Sequence, residues 1–289
     1  MRLSLTSGSI AVCDGCAQWP VRVYDRGVGP VVVLLHGFMQ NGSTWDEVAC
    51  SLSERFRVVA PDVASLESCA ATLECLADGV HDVVRWATGH FAVDAVGLVG
   101  YSMGGRIALN YARRYPQSLY ALVLESAGVG PETEEARGAV ARRNHALAQR
   151  IDQAADMDEV VDYWQDLPLF ATQKKLSGSV RQAIRQQRLA CDRAWLARIA
   201  WDAGAHTMPL ASETRDMLQR AAVPVLYVAG RADAKYRAVA QTLCAVGVET
   251  VLLAGGHNVH LEDSVEYTQC VAAFFGRAAS LCSNEKDKA

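Results

Sequence analysis

Val31–Leu35 is a continuous apolar run, Ala95–Val99 is a short apolar run, and Phe56–Ala60, Leu119–Leu124, Val223–Ala229 and Glu249–Leu253 also read as strands. Short unbroken runs rich in Val and Leu read as strands covered on both faces. Leu3–Val12 and Val21–Tyr24 predict an opening hairpin. Between the runs, apolar positions return every three or four residues, which is the helical period. Trp45–Leu52 places Trp45, Val48, Ala49 and Leu52 on one face. Leu66–Trp86 does so with Leu73, Leu76, Val80, Val83 and Val84. Ile107–Ala112 and Val265–Phe275 predict two more helices, and Ser280–Ala289 reads as a polar tail. From Pro131 to Leu210 the strand signal disappears, and Ala, Arg, Gln and acidic residues dominate. The pattern predicts an α/β fold, a mostly parallel sheet with helices on both faces and an inserted helical cap. Residues 1–130 and 211–289 form the expected core, and residues 131–210 the cap.

Composition narrows the possible partners. The 289 residues carry a net charge of −4 with no long basic run, so nucleic acid and anionic membranes are not expected partners. No apolar stretch approaches the roughly 20 residues of a membrane span. The first residues lack the long apolar core of a signal peptide. Nine cysteines, an odd number spread through the chain, suggest buried reduced thiols and a cytoplasmic location. Cys13-Asp14-Gly15-Cys16 is a lone C-x-x-C with no second pair at zinc spacing, so no metal site is expected.

The chemistry gathers around Gly100-Tyr101-Ser102-Met103-Gly104, which joins a strand to a helix. A G-x-S-x-G sequence in that context is a nucleophile elbow, a turn tight enough to stand the serine Oγ clear of the sheet. Val31–Leu35 runs into His36-Gly37-Phe38, the kind of loop that supplies one oxyanion-hole N–H, while the residue after the nucleophile supplies the other. Those residues are Phe38 and Met103. Serine needs a base, and the base needs an orienting carboxylate. Asp233 and His257 each follow a strand, and strand ends of a parallel sheet share one edge, so both are expected beside Ser102. Asp62 and Glu125 also follow strands but stand at less usual stations for the acid.

These motifs resemble the α/β-hydrolase superfamily from Val31 to Phe275. A narrower resemblance is to the 2-succinyl-6-hydroxy-2,4-cyclohexadiene-1-carboxylate synthase family (MenH) of menaquinone biosynthesis. It is carried by G-Y-S-M-G-G-R with Arg106, by His36-Gly37-Phe38 with Trp45, and by the cap segment from Tyr163 to Leu176. Asp233-Ala234-Lys235-Tyr236 and Gly256-His257-Asn258-Val259-His260 are also similar to family motifs. One departure is Asp62-Val63-Ala64-Ser65-Leu66, where the family has a D-x-P-G-H-G turn.

The resemblance implies elimination of pyruvate from a cyclohexene, with Ser102, Asp233 and His257 as the proton-abstracting unit and no cofactor. Its polycarboxylate substrate calls for arginines, whose planar fork meets carboxylate oxygens two at a time. Arg106 follows the elbow, and Arg188 shares a helix face with Arg181 and Arg185, which are read as surface charges. Tyr101 and Trp164 match family pocket positions. Arg137, Arg142 and Arg143 are candidates for a further carboxylate contact, and Arg142 is taken as the expected one. A second reading keeps the same residues for an esterase or C–C hydrolase acting through an acyl-serine. A third, a non-catalytic ligand receptor, has against it the complete set of reactive residues.

Overall fold

The computed structural model describes residues 6–10, 19–26, 28–63 and 70–286. Among the described residues eight strands form one sheet: β1 (Thr6–Ile10), β2 (Trp19–Tyr24), β3 (Val31–Leu35), β4 (Arg57–Pro61), β5 (Val96–Tyr101), β6 (Leu119–Glu125), β7 (Val225–Gly230) and β8 (Glu249–Leu253). Their order is β1-β2-β4-β3-β5-β6-β7-β8. β1 and β2 are antiparallel, β2 meets β4 antiparallel, and β4 through β8 run parallel. Every residue of β3, β5, β6 and β7 is buried, as the unbroken apolar runs require. Alternate residues serve opposite faces. Val31, Val33 and Leu35 enter one core cluster, whereas Val32 and Leu34 enter the other.

Helices α1 (Asp46–Leu52), α2 (Leu73–Phe91), α3 (Met103–Arg114), α8 (Ala211–Gln219), α9 (Ala234–Cys244), α10 (Val259–Glu262) and α11 (Ser264–Lys286) flank the sheet. Between β6 and β7 the chain is helical: α4 (Glu134–Gln153), α5 (Met157–Gln165), a 3-10 segment at Pro168–Lys175, α6 (Gly178–Leu189) and α7 (Arg193–Asp202). This excursion leaves and returns at one point, where Ala211 N donates to Pro131 O at 2.9 Å.

Several boundaries differ from the sequence reading. The long helix begins at Leu73 rather than Leu66, because the Thr72 side chain accepts from Cys75 N and caps it there. It runs on to Phe91 and stops at Ala92 in the left-handed region (φ 52°). Trp45 closes a 3-10 turn before α1 rather than opening the helix. The last helix begins at Ser264 and continues to Lys286, through most of the stretch read as a polar tail. Cys50, Cys75, Cys191, Cys244 and Cys270 are free; Cys244 is exposed and the other four are half-buried, so none of these five is the fully buried thiol expected. Cys13, Cys16 and residues 64–66 of the segment that departs from the family turn lie outside the described residues. Among the described residues no helix is long and apolar enough to cross a membrane, and no cluster of His, Cys, Asp and Glu could hold a metal.

Candidate active site

Ser102 joins β5 to α3 with φ 50° and ψ −103°, a region that side chains other than glycine seldom enter. The turn closes because its neighbours have no Cβ. A Cβ on Gly100 would come within 2.4 Å of Gly104 O, and one on Gly104 within 2.3 Å of Leu35 O. The strain is held by burial on both sides and by Ser102 N, which donates to Glu125 O at 2.9 Å.

The strand-end argument brings three side chains together. His257 Nε2 lies 3.0 Å from Ser102 Oγ, and His257 Nδ1 lies 2.8 Å from Asp233 Oδ2. Asp233 also caps α9, accepting from Tyr236 N at 3.2 Å through Oδ1, so the carboxylate is fixed at both oxygens. Since a carboxylate only accepts, Nδ1 of His257 donates to it, leaving Nε2 free to accept from the serine hydroxyl. His257 is buried among the rings of Tyr101, Phe170 and Tyr236, whose centroids lie 5.4, 5.9 and 4.7 Å away.

Phe38 lines the same cavity as Ser102 and His257, and Met103 follows Ser102 in the elbow. Met103 is the first residue of α3, so its N–H has no partner within the helix. The turn bearing Phe38 is pinned twice: Gly37 N donates to Gln40 Oε1 at 2.9 Å, and Val63 N donates to His36 Nε2 at 2.9 Å.

Ser102 and His257 open into a cavity of about 620 Å³ walled by the helical excursion, with Phe38, Tyr101, Arg106, Trp164 and Arg188 in its lining. Arg106 is half-buried. Its Nε is buried without a partner, and no ion pair reaches it among the described residues. Arg188 is 3% exposed; Nη2 donates to Gln173 Oε1 at 3.0 Å, while Nε is left unpartnered. Burial pushes both guanidinium pKa values down, yet an arginine stays charged at any working pH. Buried donors left open in this way favour an anionic ligand with two or more oxygens.

The remaining arginines divide differently from the sequence reading. Arg142 is exposed and does not line the cavity. The inward face of α4 carries Val140, Arg143, Leu147 and Arg150, spaced three and four apart, and Arg142 lies one step off that face. Arg137 is committed elsewhere, donating to His206 O, Met208 O and Glu134. Arg143 and Arg150 are the cavity-lining cations of this helix, and the spacing of Val140 and Leu147 is the signal that selects them. Lys235 also lines the cavity. Arg185 pairs with Asp158 and Asp162 at the surface.

Comparison with known proteins agrees with this architecture. A family model described as the alpha/beta hydrolase family matches residues 32–269. The chain is 30% identical over 285 residues to the putative 2-succinyl-6-hydroxy-2,4-cyclohexadiene-1-carboxylate synthase of Bacillus subtilis, covering 92% of this chain and 97% of that protein. It is 28% identical over 243 residues to the synthase of the same name from Klebsiella pneumoniae, covering 84% and 92%. The solved structure of MenH from S. aureus matches with a TM-score of 0.81 at 27% identity, covering 90% of this chain and 98% of that one. With its fold, its elbow and the matched segment in agreement, the chain belongs to the alpha/beta hydrolase family.

Proposed function

We propose that this chain is a 2-succinyl-6-hydroxy-2,4-cyclohexadiene-1-carboxylate synthase, a lyase that eliminates pyruvate from 2-succinyl-5-enolpyruvyl-6-hydroxy-3-cyclohexene-1-carboxylate. The observation that carries the reading is the pair Arg106 and Arg188, two cations with open buried donors on the same cavity as Ser102 and His257. A neutral ester gives such a pair nothing to bind, whereas a substrate with several carboxylates satisfies it. The names of the Bacillus and Klebsiella relatives support the same reaction.

In this reading residues 131–210 are the cap over a core of residues 1–130 and 211–289. The arginines hold the carboxylates, and Tyr101 and Trp164 pack against the ring. His257 takes the Ser102 hydroxyl proton, and Ser102 Oγ takes the proton from the ring carbon beside the succinyl ketone. Phe38 and Met103 N–H groups hold the resulting enolate oxygen. The enolate electrons then form the new ring double bond, the existing one shifts along the ring, and the C–O bond to enolpyruvate breaks. The leaving group takes back a proton from the Ser102–His257 unit and becomes pyruvate. The sequence of steps is redox-neutral and leaves no acyl-enzyme.

The direct test is pyruvate release from the cyclohexene substrate, followed by coupled reduction to lactate. Saturable release that is abolished in Ser102→Ala is expected. Absence of release, together with a burst of nitrophenol from p-nitrophenyl esters, would instead identify a serine hydrolase, which the 3.0 Å Ser102–His257 contact also suits.

A further inference from the structure

Arg188 and Phe170 form a common wall between two cavities. One is the catalytic cavity; the other is a groove of about 410 Å³ lined by residues of the helical excursion. Gln173 lines only the outer groove of these two. It is 6% exposed, and its Oε1 accepts from Arg188 Nη2 at 3.0 Å. That contact commits the oxygen and leaves the amide nitrogen, Nε2, buried with no partner among the described residues. Arg188 Nε is in the same condition. A buried amide donor on the groove, beside an arginine that the groove shares with the catalytic cavity, calls for an acceptor.

The charges along the groove point the same way. Lys174 is paired with Asp166, and Arg185 with Asp158 and Asp162. Arg181 lines the groove, is exposed, and has no ion pair among the described residues. Asp166 is offset by Lys174, and neither Asp158 nor Asp162, which share Arg185, lines the groove, so the groove offers one surface cation without an ion pair, Arg181, beside the open Gln173 donor and the shared Arg188. A carboxylate satisfies that set, since its two oxygens can bridge a guanidinium and an amide N–H.

We infer that this groove is a second carboxylate site, built from Arg181, Gln173 and Arg188, from which an anionic substrate passes to the catalytic cavity along the shared arginine. The choice of the substrate as the source of that carboxylate rests on the function proposed above; the site itself rests on the geometry.

Succinate is the probe, titrated calorimetrically into the full chain. Wild type should bind it. Arg181→Gln, an exposed change with little effect on folding, should weaken binding roughly fivefold. Gln173→Met, which keeps the volume, should weaken it similarly. Arg106→Ala should leave this component unchanged, because Arg106 lines the catalytic cavity and not the groove. No binding by wild type, or binding lost in Arg106→Ala and kept in Arg181→Gln, would overturn the site. The source of the carboxylate is tested by turnover. Arg181→Glu should lower kcat/KM on the anionic substrate roughly tenfold with kcat unchanged, and flatten its salt dependence. Loss of succinate binding with kcat/KM intact would overturn the transfer role and assign the groove to a separate small acid. Failure of wild type to release pyruvate would overturn the proposed function while leaving the succinate result standing.

Discussion

His260 Nδ1 stands 2.8 Å from Glu125 Oε2, and neither side chain is exposed at all. The second carboxylate oxygen accepts from His260 N at 3.1 Å, Thr44 Oγ1 lies 3.2 Å from Nε2, and the Trp45 ring stacks on the imidazole at 3.9 Å. Because Glu125 O also receives Ser102 N, one residue ties the elbow to the segment that begins at His257. Removing one member of a buried pair strands the other. Glu125→Ala should therefore cost about 3–5 kcal/mol of stability, and Glu125→Gln distinctly less. Urea denaturation measures both, and a loss under about 1 kcal/mol for the alanine variant would show that the pair does not hold this junction.

Ser102→Ala should lower activity by more than ~10³-fold with the fold intact, and His257→Ala should be comparably severe. The double variant should be little worse than either alone, since the 3.0 Å contact makes the two a single unit. Multiplying losses would show that they act separately.

Arg106 separates the polycarboxylate reading from a general esterase. Losing one partner of a desolvated charge pair costs about 2–5 kcal/mol. Arg106→Ala should thus lower kcat/KM on the carboxylate substrate by roughly 30-fold to several thousand-fold, at ~1.4 kcal/mol per decade. Arg106→Lys should recover only part, because an ammonium lacks the fork. Any turnover of neutral esters should hardly change. Equal losses on both substrate types would make Arg106 structural.

Glu262 joins the excursion to the histidine loop, accepting from Thr172 Oγ1 at 3.0 Å and from Gly256 N at 2.8 Å. Its pKa is nevertheless raised, because desolvation outweighs those two hydrogen bonds. The folded chain then binds this proton more tightly than the unfolded chain. The stabilising contribution is complete below the ordinary carboxylate range and is lost as pH rises through the raised value. Thermal melts between about pH 4 and 7 should show the advantage of wild type over Glu262→Gln shrinking with pH. An advantage that grows with pH would mean that the hydrogen bonds dominate.

Gly104→Ala should damage both stability and activity. Its Cβ would meet Leu35 O at 2.3 Å and His36 O at 2.6 Å, and backbone atoms cannot swing aside. A cost of about 1–3 kcal/mol is expected by denaturation, with a larger proportional loss of turnover as Ser102 shifts. Wild-type stability and turnover would show that the elbow can open without consequence.

Local pattern was enough to read most of the sheet. β3 and β6 stand within a residue of their apolar runs, because a strand buried on both faces admits no polar residue except at its ends. Ser102, Asp233 and His257 were legible together for a related reason. Parallel strands share one C-terminal edge, so residues that each follow a strand meet there without any knowledge of side-chain packing. Where contacts between distant segments decide, the sequence is silent. Both Arg142 and Arg143 are exposed, yet the packing of α4 puts Arg143 on the cavity lining and leaves Arg142 off it, although either fits the helix period. The pairing of Glu125 with His260 joins residues 135 positions apart, and the commitment of Arg137 to two carbonyls depends on where the excursion rejoins the core. A helix period states that a face exists; only the packed neighbours decide which way it points.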